Sequence, residues 1–475
     1  MKTYEIDTLL NLGLEQYPEH LYIFERSGDG FAGKTFRTFA QDVRRTASAL
    51  LHLGLGGKNC ILYAANSYHY MTADAALMGY VGTSCTISKE WKADDLRRSI
   101  GILQAAAVIY DVDRSEISQT LQAEFPDVQF LRLETLTQLP DGDTTPLPSD
   151  PSRCCKIIFS SGTTGMPKAV MLSQNRMFAN WESLCLRTPF TGEDRDYLFL
   201  PLSHTYSGIC NFMYSLCTGM QLYLCSDTKK ITEELQIVKP TVFCAVPLIY
   251  ERIHAVCTEH QLSPVAALGG CVKYLFCGGA YCKPELRRYF KDAGLNLLEA
   301  YGLTETSSVI SIEYPDPQDT ESVGTVMENI DIRIADADEN GIGEILVRGE
   351  NLFAGYYANP EATAAAFDAE GFFRTGDLGR LDGRKLYLKG RKRRMLLLSN
   401  GENVYPDELE AAYAAYPQIA KVKVYVQDGQ ICAALYARSE CDGDAVTAEV
   451  NTHLPRYAQI RKTEVIPDGI ETRLK

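Results

Sequence analysis

The chain has 475 residues, of which 45% are hydrophobic and 23% are charged, and its formal net charge is −14. This length exceeds what one hydrophobic core supports, so we expect two or three subdomains. The negative charge argues against a nucleic-acid partner, because phosphate backbones select surfaces rich in Lys and Arg. Neither a membrane span nor a signal peptide is indicated by the apolar pattern. The fifteen cysteines lack metal-ligand spacing, which favours reduced core residues of a cytoplasmic protein.

Short apolar runs alternate with amphipathic stretches from the amino terminus to about residue 388. The clearest runs are of strand length, end in turn residues and precede helix-like segments: 60–66, 105–112, 154–160, 240–247 and 273–279. This alternation is typical of buried strands in a layered α/β fold. The sequence therefore predicts a large amino-terminal region built of α/β subdomains.

Two later segments have the pattern of β-hairpins rather than of buried strands. They are GEILVRG (343–349) and RLDGRKLYLKG (380–390), and the second is expected to turn at Asp382-Gly383. Together they predict a smaller, β-rich subdomain.

The carboxyl-terminal part has a mixed pattern of its own. Pro406 stands where a first-turn proline belongs in a helix, and residues 421–437 alternate on both sides of Asp428-Gly429 as a hairpin does. From about Arg391 onward we therefore expect a separate, small α+β lid.

The stretch FSSGTTGMPKAVML (159–172) contains six consecutive Ser, Gly and Thr residues followed by one lysine. A Walker-type phosphate loop has Gly before its lysine and Ser or Thr after it, whereas Pro167 and Ala169 flank Lys168 here. The apolar residues after the lysine predict a strand instead of a helix. We interpret the stretch as a hairpin-like flap whose amides and hydroxyls fold over phosphate oxygens; the alternative is a glycine-rich surface turn.

SSGTTGMPKAV resembles the signature of the adenylate-forming superfamily, which includes acyl-CoA synthetases, nonribosomal-peptide adenylation domains and beetle luciferases. Similar pieces follow in the expected order: LPLSH (200–204), YGLTET (301–306), FRTGDLG (373–379), and GRKRRM with LLSNGENVYPDELE (390–410). The last piece is most similar to bacterial fatty acyl-CoA synthetases. The resemblance implies an AMP-binding domain over residues 1–390 and a mobile lid over residues 391–475.

The reaction that the resemblance implies joins ATP and a carboxylic acid into an acyl-adenylate, releases pyrophosphate and passes the acyl group to a thiol. ATP and Mg²⁺ are the implied cofactors, and the thiol belongs to CoA or to the phosphopantetheine of a carrier protein. The implied nucleotide-binding residues are Ser160, Ser161, Gly162, Thr163, Thr164, Gly165, Lys168, Gly279, Ala280, Glu299, Tyr301, Gly302, Thr304, Asp377 and Arg391. The implied catalytic residues are Lys475, His204 and Thr304; Glu305 is the metal ligand, Arg393 the hinge and Gly401 the residue that leaves room for the thiol.

Several of these residues have simpler explanations when taken alone. Lys168 could be a solvated lysine at a strand end, and Thr304 with its acidic neighbour could be a helix N-cap. Asp377 could be a turn residue, and a lone histidine such as His204 is more often structural. Lys475 follows Leu474, where the superfamily usually has Gly.

The kind of acid is suggested by residues that are absent. The segment SHTYSGICNFMYSLCTGM (203–220) has no acidic side chain to pair with an α-ammonium group, and a buried unpaired ammonium is costly. A pocket formed by 204–214, 245–248 and 277–280 would suit a fatty or an aryl acid. Three hypotheses stay open: an acyl-CoA ligase, a ligase that loads a carrier protein, and a nucleotide-binding protein with impaired turnover.

Overall fold

A computed structural model of the chain describes residues 4–138, 150–160, 168–314, 319–392, 396–397, 403–404, 406–427, 430–454 and 458–468. Two compact units make up the chain. The first unit consists of Met1–Asp331 and Arg348–Phe373, and the second of Ile332–Val347 and Arg374–Lys475. The boundary expected between residues 390 and 391 stays a prediction.

The strands are numbered in chain order. They are β1 Leu21–Ser27, β2 Gly30–Thr35, β3 Asn59–Tyr63, β4 Thr83–Thr86, β5 Ala107–Tyr110, β6 Gln129–Arg132, β7 Cys154–Ser160, β8 Lys168–Ser173, β9 Arg195–Leu198, β10 Gln221–Leu224, β11 Val242–Ala245, β12 Tyr274–Cys277, β13 Leu297–Tyr301, β14 Ser311–Ile312, β15 Thr325–Val326, β16 Ile330–Ala335, β17 Gly343–Gly349, β18 Gly355–Tyr356, β19 Phe373–Asp382, β20 Lys385–Arg391, β21 Leu396–Leu397, β22 Asn403–Val404, β23 Ile419–Gln427, β24 Gln430–Ala437 and β25 Lys462–Pro467.

The α-helices are α1 Ile6–Gln16, α2 Phe36–His52, α3 Tyr68–Ala76, α4 Ala93–Leu103, α5 Ser115–Gln122, α6 Gln174–Phe178, α7 Trp181–Arg187, α8 Tyr214–Thr218, α9 Ile231–Val238, α10 Pro247–His260, α11 Pro264–Ala267, α12 Pro284–Asp292, α13 Pro360–Ala365, α14 Pro406–Ala412 and α15 Gly443–Thr452. Leu77–Val81 and Tyr206–Met213 are π-helical, and Thr304–Thr306 forms a 3₁₀ turn.

The first unit contains two sheets. In one of them the strand order is β15-β14-β13-β12-β11-β9-β10-β1-β2, and the six strands from β13 to β1 run parallel. In the other the order is β18-β8-β7-β4-β3-β5-β6, with β7 through β6 parallel and β8 antiparallel to β7. The layered α/β fold expected from the sequence is confirmed.

The predicted apolar runs are the central strands of these sheets. They correspond to β3, β5, β7, β11 and β12, and their side chains are almost all buried. Parallel strands are covered on both faces, so such strands are apolar on both faces instead of alternating. Ile61, Val108 and Ile157, each buried, belong to one such core cluster.

The second unit is rich in β-strands, with antiparallel pairs β19–β20 and β23–β24 and a parallel pair β24–β25. Four neighbouring strands have the order β16-β17-β19-β20, and a three-stranded sheet has the order β23-β24-β25. The hairpin of β23 and β24 confirms the prediction, since Gln427 pairs with Gln430 across residues 428–429. α14 begins at Pro406, also as predicted. The earlier hairpin turns one residue later than expected, because Asp382 still pairs with Lys385 and the turn residues are 383 and 384.

Two expectations about the whole chain concern membranes and cysteines. Among the residues the structure describes, no helix has the length and apolar character needed to cross a bilayer. All fifteen cysteines are unpaired, and Cys271 is the one that is exposed. Eight of the fifteen are buried and six are partly buried, so the thiols belong mainly to the interior.

Candidate functional site

Four neighbouring parallel strands bring the predicted site segments to one edge of a sheet. β9, β11, β12 and β13 are adjacent and parallel, so their carboxyl ends lie at the same edge. The segments that follow them are 199–204, 246–248, 278–280 and 302–305, respectively. Ligands of parallel α/β sheets bind in the crevice outside the carboxyl ends of the strands. Residues predicted to bind the carboxylic acid and residues predicted to bind the nucleotide therefore lie at the same edge of the sheet.

His204 lies in a loop that an asparagine holds in place. Asn66 donates from Nδ2 to the Leu200 carbonyl at 2.7 Å and accepts at Oδ1 from the Leu202 amide at 2.9 Å. The His204 side chain is exposed and forms no hydrogen bond with any other described residue. Partial desolvation by the neighbouring protein lowers the pKa of His204, which favours the neutral imidazole.

The π-helical segment Tyr206–Met213, which follows His204 in the chain, packs against the sheet through polar contacts. Tyr206 donates to the Phe276 carbonyl at 3.1 Å. Asn211 Nδ2 donates to Asp196 Oδ2 at 2.5 Å, and both side chains are buried. Burial raises the pKa of Asp196 to about 7. This carboxyl group was not predicted from the segment that begins at Ser203, because Asp196 precedes that segment in the sequence and lies on β9.

The YGLTET segment contains two threonines that differ in their hydrogen bonds. Thr306 Oγ1 accepts a hydrogen bond from the Leu303 amide at 3.0 Å, so Thr306 closes the 3₁₀ turn. The Thr304 side chain has no hydrogen-bond partner among the described residues and remains available to a ligand. Gly302 is required by packing, because a Cβ there would lie 1.7 Å from the Ser308 carbonyl oxygen. Tyr301 is 8% exposed.

Glu305 is tied to the Ser160–Lys168 hairpin through Tyr356, which the sequence analysis did not single out. The Tyr356 hydroxyl donates to Glu305 Oε1 at 2.9 Å. The Lys168 ammonium lies 4.5 Å from the centre of the Tyr356 ring. Burial and the neighbouring Glu305 carboxylate raise the pKa of Tyr356, so its hydroxyl keeps its proton. The cationic Lys168 and the anionic Glu305 therefore both contact the side chain of Tyr356.

The flanks of the predicted flap form the hairpin that the sequence indicated. Ser160 at the end of β7 pairs with Lys168 at the start of β8. The intervening flap residues Ser161, Gly162, Thr163, Thr164 and Gly165 lie outside the described residues, as do Arg393, Gly401 and Lys475.

The remaining predicted residues differ in their surroundings. Gly279 and Ala280 are exposed after β12, and Gly279 has a φ of +79° that favours glycine. Glu299 is buried on β13, 3.3 Å from an Arg287 guanidinium nitrogen, and burial raises the pKa of Glu299 to about 8. Its carboxyl group thus contacts an interior guanidinium group. The assignment of Glu299 to the nucleotide stays a prediction.

Asp377 and Arg391 belong to the second unit, where they are partners across a hairpin. Arg391 Nε lies 2.7 Å from Asp377 Oδ1, and the two residues pair in register between β19 and β20. These two side chains, both expected to bind the nucleotide, are therefore adjacent in space, although 14 positions separate them in the sequence.

Relatives of the chain are found at both the sequence and the structural level. Long chain acyl-CoA synthetase 7, peroxisomal, of Arabidopsis thaliana is 25% identical over 478 residues, which cover 84% of this chain and 68% of that protein. Long-chain-fatty-acid–CoA ligase FadD15 of Mycobacterium bovis is 26% identical, covering 85% of this chain and 77% of that protein.

Several solved structures share the fold over nearly the whole chain. The ATP-bound MatB of Rhodopseudomonas palustris superposes with a TM-score of 0.85 at 22% identity, covering 99% of this chain and 97% of that one. The o-succinylbenzoate CoA synthetase MenE of Bacillus subtilis, with ATP and magnesium, has a TM-score of 0.84 at 21% identity, covering 96% and 95%. Residues 13–357 match the family described as AMP-binding enzyme, and the chain therefore belongs to the AMP-binding enzyme family.

Proposed function

We propose that the protein uses ATP to convert a carboxylic acid into an acyl-adenylate, with release of pyrophosphate, and then transfers the acyl group to the thiol of CoA. Membership of the AMP-binding enzyme family supports the adenylate step. The names of the relatives in A. thaliana and M. bovis support CoA as the acceptor. The observation that carries the proposal is the linkage of Lys168, Tyr356 and Glu305, which connects the Ser/Gly/Thr hairpin to the segment after β13.

The reaction depends on alignment of the carboxylate with the α-phosphate of ATP and on positive charge near that phosphate. A carboxylate is repelled by the charged α-phosphate of ATP, so the site must hold both in line and offset the charge. The available Thr304 hydroxyl is suited to donate to an α-phosphate oxygen, and Lys168 to pair with the terminal phosphates. The resemblance adds Tyr301 against the adenine and Lys475 between the carboxylate and the α-phosphate. These roles remain proposals.

The residues around Glu305 fit a magnesium ion that is bound mainly through ATP. The Glu305 carboxylate engages Tyr356 with Oε1, and its Oε2 has no hydrogen-bond partner among the described residues. Within that same part of the chain, no cluster of three or more His, Cys, Asp or Glu side chains could hold a metal. Mg²⁺ typically takes one or two carboxylates, phosphate oxygens and water. When bound, the ion would neutralise phosphate charge, and Glu305 is the ligand we propose for it.

The acid that we propose is a fatty acid. Leu248 and Tyr281, each 52% exposed, follow β11 and β12 at the edge where His204 lies. Exposed apolar side chains at the mouth of a site favour an apolar substrate. Asp196 could have paired with an amino group, but it is fully buried and already bonded to Asn211. The names of the relatives from A. thaliana and M. bovis also favour long acyl chains.

We also propose that the protein works in the cytoplasm. Its fifteen cysteines are all unpaired. Free thiols in such number are typical of a reducing compartment. Fractionation of the native cells with an antibody against the protein would test this.

The test is ATP–pyrophosphate exchange with a panel of fatty, aryl and amino acids, followed by mass spectrometry of the product formed with CoA or with a carrier protein. We expect exchange with fatty acids and an acyl-CoA product. Lys168→Met should reduce exchange by about a hundredfold, the usual cost of removing one group that stabilises developing charge. The matched control is Lys34→Met, because the Lys34 ammonium also lies over an aromatic ring, that of Tyr68 at 4.4 Å.

Three outcomes separate the hypotheses. Exchange that ends in an acylated carrier protein instead of acyl-CoA would favour the carrier-loading ligase. ATP binding without exchange for any acid would favour an impaired nucleotide-binding protein. Absence of ATP binding would refute the proposal altogether.

A further inference from the structure

Tyr356 is the shared neighbour of two residues that the proposed function assigns to the phosphates and to the metal. Its hydroxyl lies 2.9 Å from Glu305 Oε1, and its ring lies 4.5 Å from the Lys168 ammonium. The hydroxyl and the ring therefore contact different partners, and each contact can be removed separately.

Strand register explains why the ring meets the lysine. β18 pairs antiparallel with β8, with Tyr356 opposite Val170 and Gly355 opposite Met171. Residues two apart on a strand share a face, so Lys168 and Val170 point to the same side of β8. Tyr356 is thus the diagonal neighbour of Lys168, at a distance that aromatic and long side chains bridge.

The tyrosine is held rigidly by its own surroundings. Its amide donates to Thr363 Oγ1 at 2.9 Å, and its side chain is buried, with 6% exposure. The Phe353 ring packs edge-on against it at 4.8 Å, while the Phe353 amide donates to the Glu305 carbonyl at 2.8 Å. The backbone and the side chain of Glu305 are therefore both tied to the same short segment, 353–356.

We propose that Tyr356 is a positioning residue that fixes the spacing between Lys168 and Glu305, so that the phosphate-binding cation and the metal-binding carboxylate engage one Mg·ATP together. This inference rests on the proposed function. The ring orients Lys168 whether or not a metal is present, whereas the hydroxyl orients only the metal ligand. Tyr356 does not itself touch the reacting atoms in this role.

Two substitutions separate the two contacts. Tyr356→Phe keeps the ring and removes the hydrogen bond to Glu305, while Tyr356→Leu removes both. Tyr357→Phe is the matched control, because the neighbouring Tyr357 hydroxyl has other partners. It accepts from Asn59 at 3.0 Å and donates to the Leu103 carbonyl at 3.4 Å, away from the proposed phosphate and metal ligands.

The experiment measures binding of a non-hydrolysable ATP analogue by titration calorimetry, once with excess Mg²⁺ and once with EDTA. Thermal unfolding of each variant confirms that it is folded. We expect Tyr356→Phe to weaken binding about tenfold with Mg²⁺, as loss of a hydrogen bond to a charged group does, and to leave binding in EDTA unchanged. Tyr356→Leu should weaken binding in EDTA as well, by about threefold.

The outcomes distinguish this inference from the proposed function. If the wild-type protein does not bind the analogue, the proposed function fails. If the wild type binds it and Tyr356→Phe behaves like Tyr357→Phe under both conditions, the positioning role is wrong. A loss of equal size with and without Mg²⁺ would also overturn it, because the hydroxyl would then not act through the metal ligand. Should Tyr356→Leu fail to fold, Tyr356→Phe alone decides.

Discussion

Replacing Lys156 with Met should destabilise the first unit by about 3–5 kcal/mol, the usual cost of removing one partner from a buried ion pair. The Lys156 ammonium lies 2.8 and 2.7 Å from the two oxygens of Asp74, and both side chains are 0% exposed. Ser84 donates to the same carboxylate at 2.6 Å. The substitution leaves the Asp74 charge buried with a single hydroxyl as its partner, which is why a large effect is expected.

The double substitution Lys156→Met with Asp74→Leu should recover most of that loss. At an effective dielectric constant of about 20, charges 2.7 Å apart attract by roughly 6 kcal/mol. Desolvation of the two ions opposes this by several kcal/mol each, so the intact pair contributes little net stability. Two apolar side chains of similar size should therefore leave the unit within about 2 kcal/mol of the wild type.

The assay is urea unfolding followed by tryptophan fluorescence. Both tryptophans, Trp91 and Trp181, belong to the first unit, so the signal reports that unit. Arg37→Met is the surface control, because the Arg37–Glu19 pair has a similar distance of 2.7 Å but is exposed. It should cost less than about 1 kcal/mol. A loss below 1 kcal/mol for Lys156→Met, or additive losses in the double variant, would refute the reasoning.

Three further substitutions test other parts of the chain. Asp196→Asn should flatten the pH dependence of stability. In the wild type, the pKa of Asp196 is about 7 in the folded state and 3.8 in the unfolded state. The folded state therefore binds more protons, and the wild type loses stability as the pH rises between these two values. Urea midpoints at pH 5 and pH 7 check this, and an unchanged slope would contradict it. Asn66→Ala should lower kcat/KM for the acid about tenfold, because both hydrogen bonds that hold the His204 loop are lost. Exchange kinetics equal to those of the wild type would show that the loop does not need them. Lys475→Ala should suppress adenylate formation and spare thioester formation from supplied adenylate; equal loss of both half-reactions would contradict its assignment.

Local sequence determined the strands, the hairpins and the position of the phosphate-binding stretch. Apolar runs bounded by turn residues became β3, β5, β7, β11 and β12 because parallel strands are covered on both faces. Asp428-Gly429 predicted the hairpin of β23 and β24 for a similarly local reason, the backbone preference of the turn residues. The one-residue error at Asp382-Gly383 arose because strand pairing extends through Asp382 before the chain turns.

Only the tertiary structure decided which side chains meet. Tyr356 and Glu305 are 51 positions apart, Lys156 and Asp74 are 82 apart, and Asn66 lies 134 positions before the carbonyl that it binds. A tyrosine after a glycine, or an asparagine before a helix, carries no local mark of such a partner. These contacts depend on strand order and register, which are set by the packing of both sheets over the whole first unit, and short-range patterns do not encode them.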